Sequence, residues 1–273
     1  MTDPLFVLDP NRDDTPLAAA LTGDITDDAL EVGWNLTLPD HICRHAIQSM
    51  RLGDGDTMQL SDGKGLRVHA QLVDARNGVA QVRSFIREPQ PVTRLTLIQA
   101  LAKTGHDEQA IDMATQVGVD SVIPWQAERS IAKWKTGRTD RKWHGTLESA
   151  TQQSRRAWMP QLEPCVSDKQ IVAICRRACV HGDIVIALHQ DATTTWSALE
   201  QSVEQLSQRT LDDGRSRSIS VIVGPEGGIS DDEIALFTGA GAQSCVLGAT
   251  IMRASTAGPV ALSLLARALG RFA

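Results

Sequence analysis

The chain has 273 residues, 42% of them hydrophobic and 22% charged, which suits one large or two medium folded domains and excludes a disordered or fibrous polypeptide. No apolar run reaches the ~18 residues that a membrane-spanning helix requires, and Met1-Thr2-Asp3-Pro4 has no basic start before an apolar stretch, so neither a membrane segment nor a secretory signal is expected. The net charge of −6 argues against a generic nucleic-acid binder, although its distribution is uneven.

Residues 1–86 read as a small β-rich domain. Phe6-Val7-Leu8 predicts a strand, and an acidic, loop-like stretch runs on to Glu31. Pro39-Asp40 opens a short helix to about Met50, with Ile42, Ala46 and Met50 on one face. Strands follow at Thr57–Leu60, Leu66–Val73 and Val79–Phe85, separated by Asp62-Gly63 and Asn77-Gly78 turns, the pattern of an antiparallel meander or small barrel. Such a domain either binds RNA or scaffolds its neighbour. Arg87-Glu88-Pro89-Gln90-Pro91 is a proline-stiffened boundary, placing domains at 1–88 and 92–273.

Beyond the boundary, strands alternate with helices. Arg94–Leu101 and Val119–Pro124 are expected strands, with helices at Asp107–Val117 (Ala110, Ile111, Ala114 and Val117 inward), Arg141–Ala157 and Val172–Val180. Asp183–Leu188 and Ile219–Val223 are β-branched and apolar, as parallel strands buried on both faces should be. The fold class is therefore α/β with a mostly parallel sheet, preceded by the β-rich domain. Residues 204–218, polar and charged, read as an exposed loop. Ser230 and Glu233 form an S-x-x-E capping box that starts a helix. A strand near Cys245–Leu247 then stops at Gly248, and Thr250–Thr256 leads into the last helix.

Two strand-end turns stand out, Gly224-Pro225-Glu226-Gly227-Gly228 and the stretch from Gly248, because α/β sheets bind ligands beyond their carboxyl edge. Neither carries the lysine of a P-loop or the G-x-G-x-x-G fingerprint. Asp231, Asp232 and Glu233 fill the following helical turn and would repel a phosphate. The first turn is thus either a non-phosphate ligand loop or a plain tight turn. Arg253 is either a surface charge or the cation that holds developing negative charge. His189, ending a strand beside these turns, reads as pocket lining rather than a base.

Arg129 to Arg156 carries eight basic residues (Arg129, Lys133, Lys135, Arg138, Arg141, Lys142, Arg155 and Arg156) against Asp140 and Glu148. Trp125, Trp134, Trp143 and Trp158 are interleaved with or flank them. This is either a phosphate-and-stacking surface for RNA or a solvated face over packed tryptophans. Five scattered cysteines without C-x-x-C imply a reduced, cytoplasmic protein, and Cys175 and Cys179, one helical turn apart, read as buried thiols rather than a metal pair. Zinc-hydrolase and serine-hydrolase motifs are lacking.

These residues together resemble the RsmE family, SPOUT-class methyltransferases of uridine N3 in 16S ribosomal RNA. GPEGGIS-x-x-E at 224–233, Leu247-Gly248 with Ile251-Met252-Arg253, Gln153-Ser154-x-Arg156 with Pro160, Lys103 with Glu108, and Gly118-Val119 all fall in the family's order. The resemblance implies a PUA-like barrel that binds RNA, then a trefoil-knotted domain that works as a homodimer. It implies S-adenosylmethionine as cofactor, held by Leu188 and His189, by Val223, Gly224, Pro225, Glu226, Gly227 and Gly228, and by Leu247, Gly248, Ile251, Met252, Arg253, Ala254, Thr256 and Ala257. Lys103, Arg129, Lys133, Lys135, Arg155 and Arg156 would hold the RNA, which is naked 16S RNA or the assembled small subunit. Arg253 would be catalytic, with Arg156 of the partner subunit as its companion, and neither a metal nor a membrane is involved. Other readings are a SPOUT enzyme acting on a ribose 2′-hydroxyl and an RNA-binding protein without activity. The chain departs from the family pattern at Thr104, His106 and Gln152, and at Ser255, where the family often has a glutamate.

Overall fold

The computed structural model describes residues 3–8, 31–207 and 216–272, which form two compact units. One is Met1–Gln90 with Thr151–Met159; the other is Pro91–Ala150 with Pro160–Ala273. The acidic stretch expected before Glu31 lies outside the described residues, as do residues 208–215 of the expected 204–218 loop.

The first unit is built on β1 (Leu5–Val7), β2 (Asn35–Thr37), β3 (Thr57–Ser61), β4 (Leu66–Asp74) and β5 (Val79–Arg87). They form one sheet in the order β1-β3-β4-β5-β2, antiparallel except for the parallel β1–β3 pair. Strict alternation in β4 sends Leu66, Val68, Ala70 and Leu72 into the core, where they meet Phe6, Leu36, Met58, Leu60 and Val82. The short helix α1 (Asp40–Cys43) continues as a π-helical turn, Arg44–Ser49. There the Met50 N–H bonds back five residues to His45 O at 2.9 Å. That wider turn removes Met50 from the stack of Ile42 and Ala46: the latter are buried, whereas Met50 is 45% exposed, contrary to the expected single face.

The segment 151–159, expected within the second domain, groups with the first unit. Ala157 O accepts from Ser61 Oγ and Gly65 N–H, both at 3.0 Å, and Arg155 O accepts from Arg67 Nη2 at 2.9 Å.

The second unit holds β6 (Thr93–Ala100), β7 (Ser121–Trp125), β8 (Gln161–Leu162), β9 (Ile184–Leu188), β10 (Arg217–Val223) and β11 (Gln243–Cys245). All pairs are parallel, in the order β11-β9-β10-β6-β7-β8. Helices α2 (His106–Gln116), α3 (Thr139–Ser154, up to Ala150), α4 (Asp168–His181), α5 (Trp196–Ser207), α6 (Asp231–Gly239) and α7 (Ala254–Ala268) complete it. Ile98, Val185, Ala187 and Ile222 pack with Ile171 and Cys175 of α4 and with Phe237 of α6. The opposite face receives α7 so closely that a Cβ on Gly258 would stand 2.8 Å from Leu97 Cδ1. Layers on both faces explain why β9 and β10 are almost wholly apolar.

Several local expectations are corrected. Residues 204–207 end α5 and 217–218 begin β10, so the predicted loop is narrower. Helix α5 adds to the expected elements, with Trp196, Leu199 and Val203 buried at helical spacing. The last strand ends at Cys245, so Val246–Arg253 is loop. Trp125 and Trp143 are fully buried and are not available for base stacking; Trp134 packs edge-on against Trp143. Cys175 is buried but Cys179, one turn nearer the C-terminal end of α4, is exposed. No described helix is long and apolar enough to cross a membrane, and no described group of His, Cys, Asp and Glu could hold a metal ion.

Candidate functional site

Strands β11, β9 and β10 lie side by side and point the same way, with Cys245 opposite Leu188 and Ala187 opposite Ile222. Their carboxyl ends therefore deliver three loops to one edge: after Leu188, after Val223 and after Cys245. These loops enclose a cavity of about 930 Å³. Its walls include Leu188, His189, Val223 through Gly228, Leu247, Gly248, Ile251, Met252, Arg253, Ala254 and Ala257. Thr256 is the one residue of the expected cofactor set absent from the lining; it is exposed on the first turn of α7. His106, Arg129, Gln190, Asp191, Ile229, Asp231 and Val246 also line the cavity.

The turn after β10 is braced from several directions. A Cβ on Gly224 would lie 2.7 Å from Ile229 Cγ1 and 2.9 Å from Ile229 N, so only glycine permits this tight return. Glu226 Oε1 accepts the Lys103 N–H at 2.8 Å, and Arg129 Nη1 donates to Gly227 O at 2.9 Å. Glu233, 2% exposed, does more than cap α6. Its Oε2 accepts the Ser230 N–H and its Oε1 the Glu128 N–H, both at 2.8 Å. One buried carboxylate thus satisfies two backbone donors and ties the Glu128-Arg129 segment to the glycine turn. Nothing in the S-x-x-E pattern discloses the second bond, which joins residues 105 positions apart.

The turn after β11 is unlike it. Gly248, Ala249, Thr250 and Ile251 are all exposed, Ile251 at 81%. Arg253 is the N-cap residue of α7, in extended backbone, and its guanidinium has no bonding partner among the described residues. Ser255 is buried at 3% and does not line the cavity. The cavity carries the carboxylates of Asp191, Glu226 and Asp231, which suit a cationic ligand better than a phosphate. Just outside it, burial pushes the Asp107 carboxyl above the usual carboxylate range, against the lowering effect of the Ala102 and Glu108 N–H groups.

The residues expected to hold RNA are divided. Lys103, Arg129, Lys133 and Lys135 are exposed in the second unit, whereas Arg155 and Arg156 belong to the first. Arg129 lies on the cavity itself, its side chain against Gly227. The Arg155 backbone has φ 54°, an uncommon value for a residue with a Cβ, and this turn closes α3.

Comparison with known proteins fits this arrangement. Residues 88–266 match the RNA methyltransferase domain family. The ribosomal RNA small subunit methyltransferase E of Mycobacterium bovis is 36% identical over 223 residues, covering 80% of each chain. A methyltransferase of Legionella pneumophila, solved with the cofactor S-adenosylmethionine, superposes with a TM-score of 0.75 at 23% identity, covering 98% of each chain. The ribosomal RNA small subunit methyltransferase E of Neisseria gonorrhoeae, bound to S-adenosylmethionine, gives 0.74 at 21% identity, covering 97% of this chain and 98% of that one.

Proposed function

The chain belongs to the RNA methyltransferase family, on its RsmE branch, and from that premise we propose that it methylates uridine N3 in 16S ribosomal RNA using S-adenosylmethionine. The observation that carries this reading is the position of Arg253, at the start of α7 on a cavity walled by three strand-end loops.

The residues present fit that cofactor. The cavity's 930 Å³ lies within the ~300–1,000 Å³ common for small-molecule sites. A Cβ on Gly248 would meet nothing within 4 Å, so the backbone there is open to a ligand. The carboxylates on the walls complement a sulfonium, and the acidic first turn of α6 does not oppose a cofactor that has no phosphate. Leu188, the Gly224–Gly228 turn and Leu247–Ala254 would hold it. When bound, it supplies a methyl group that is already electrophilic. The protein's share is then alignment of the acceptor and stabilisation of the charge left on the uracil ring when N3–H ionises. Arg253 would perform the second task, as a cation on the cavity wall with no bonding partner of its own among the described residues.

The same reading extends to parts that are finer than the fold. The first unit is a PUA-like RNA-binding barrel, a reading supported by its mostly antiparallel sheet and its own apolar core. The second is trefoil-knotted, supported by β11 pairing on the far side of β9 from β10. The protein acts as a cytoplasmic homodimer, with the exposed Leu236 and Ile251 as apolar surface for association. Lys133, Lys135, Arg155 and Arg156 contact RNA phosphates.

Small subunits from a strain lacking this protein, incubated with it and S-adenosylmethionine, should yield 3-methyluridine on nucleoside mass spectrometry. A 2′-O-methyl product would overturn the N3 assignment. The buried Ser255, which leaves no carboxylate at that helix position, favours the non-catalytic alternative. Absence of S-adenosylmethionine binding in calorimetry would decide for it.

A further inference from the structure

Transfer to N3 requires that a proton leave the imide, and the cavity offers a group to take it. On the reading of the chain as a uracil-N3 methyltransferase, we propose that His106 is the proton acceptor.

Helices α2 and α7 pack against each other, and each begins where the chain leaves the carboxyl edge of the sheet, α2 after β6 and α7 after β11. Their first residues therefore share that edge. His106 opens α2 and Arg253 caps α7, and both line the same cavity. Strand β6 flanks β10 on the side away from β9 and β11. His106 thus enters the cavity from a segment that none of the three strand-end loops supplies, on the side of β10 away from β9 and β11.

The backbone on either side of His106 is held in place, while the imidazole itself is left unengaged. Gly105 turns the chain with φ 78°, the Lys103 N–H is held by Glu226, and the buried Asp107 carboxylate accepts the Ala102 N–H at 3.3 Å and the Glu108 N–H at 2.9 Å. The His106 ring is half-buried and has no hydrogen bond or ion pair among the described residues. The cavity's other titratable groups serve less well. Glu226 is already engaged with the Lys103 N–H, Asp231 opens α6, and Asp191 follows β9 beside His189. His189 follows β9 amid the cofactor loops. Histidine is the side chain whose proton exchange is best matched to neutral pH.

The step balances simply. The N3–H bond breaks, its electron pair stays on nitrogen as the nucleophile, and the proton bonds to an imidazole nitrogen. The imidazolium then passes it to water, so one proton is released per methyl transferred. The charged and titratable groups of its surroundings are Asp107 and Glu108 on its own helix (Glu108 paired with Lys142 at 2.6 Å), Lys103 before it, and Arg129, His189, Asp191, Glu226, Asp231 and Arg253 on the cavity walls.

The test is His106→Gln in the full chain, with turnover followed across pH on small subunits. The expected result is a loss of kcat/KM of about tenfold or more near pH 7. The deficit should narrow as pH rises and N3 ionises without help, while S-adenosylmethionine affinity by calorimetry stays within about twofold. By NMR, the His106 ring signals, assigned by their loss in the variant, should shift when a uridine-bearing RNA hairpin is added. An unchanged pH profile in His106→Gln, with 3-methyluridine still formed, overturns the assignment of His106 alone. Failure of the wild-type protein to form 3-methyluridine overturns both this and the function on which it rests.

Discussion

The turns after β10 and β11 look alike in sequence, each a run of small residues following a strand, yet they are built on opposite plans. Gly224–Gly228 is pinned by Lys103, by Arg129 and, through Ser230 and Glu128, by the buried Glu233. Val246 is joined to Thr194 by an N–H···O bond of 3.0 Å, but Gly248–Met252 have no backbone hydrogen bond to any described residue. The first turn is a preformed wall whose shape precedes the ligand. The second keeps its polar backbone available, so a ligand supplies the partners that the protein withholds. Glycine therefore has two meanings at one site: tight closure at Gly224 and open backbone at Gly248.

Perturbing each turn should separate the two plans. The largest effect is expected for Glu233→Ala, which strands two backbone donors: a loss of about 3 kcal/mol in urea unfolding, from hydrogen bonds to a buried charge. Gly224→Ala drives a methyl into the backbone of Ile229 and should cost about 1–3 kcal/mol by the same measurement, with weaker cofactor binding. Arg129→Ala loosens the wall at Gly227 without touching the core. It should weaken S-adenosylmethionine binding severalfold in calorimetry, whereas a contact made only to RNA would change the salt dependence of RNA binding and leave the cofactor constant alone. Gly248→Ala should leave stability within about 0.5 kcal/mol, because its Cβ enters open space. A comparable loss from Gly224→Ala and Gly248→Ala would erase the distinction.

The smallest effect probes the root of the second turn. Burial pushes the Cys245 and Cys175 thiols up to about 11, so both stay protonated and unreactive at pH 8. Reactivity should rise only as pH climbs toward that value or as the structure opens. Exposed Cys179 should alkylate first in mass-spectrometric mapping, and early labelling of Cys245 would mean that the loop above it lifts from the strand.

Much of this was legible beforehand because it is local. The apolar strands Ile184–Leu188 and Ile219–Val223, the glycine turn at 224 and the Ser230–Glu233 cap each follow from a few adjacent residues. What escaped is long-range. The lateral order that sets β11 beside β9 and β9 beside β10 depends on pairing between segments tens of residues apart, and no single stretch encodes it. Arg129 looked like one more member of a basic run, and only folding reveals it against Gly227. The tryptophans misled for a related reason. Interleaving with arginine and lysine is compatible with either a stacking platform or a core, and burial of Trp125 and Trp143 decides for the core. Helix α5 carried a readable apolar period, obscured by its polar flanks.

The sheet order also has a consequence for how the protein is made. Strand β10 lies between β6 and β9, although both are synthesised before it. Until Arg217–Val223 emerges from the ribosome, a nascent chain carries β6 and β9 with apolar edges that lack their shared partner. Such edges attract other strands, so the same insertion that centres the glycine turn in the site exposes the unfinished chain to aggregation. Chaperone occupancy during synthesis should accordingly peak after residue 188 is translated and fall once residue 223 is free.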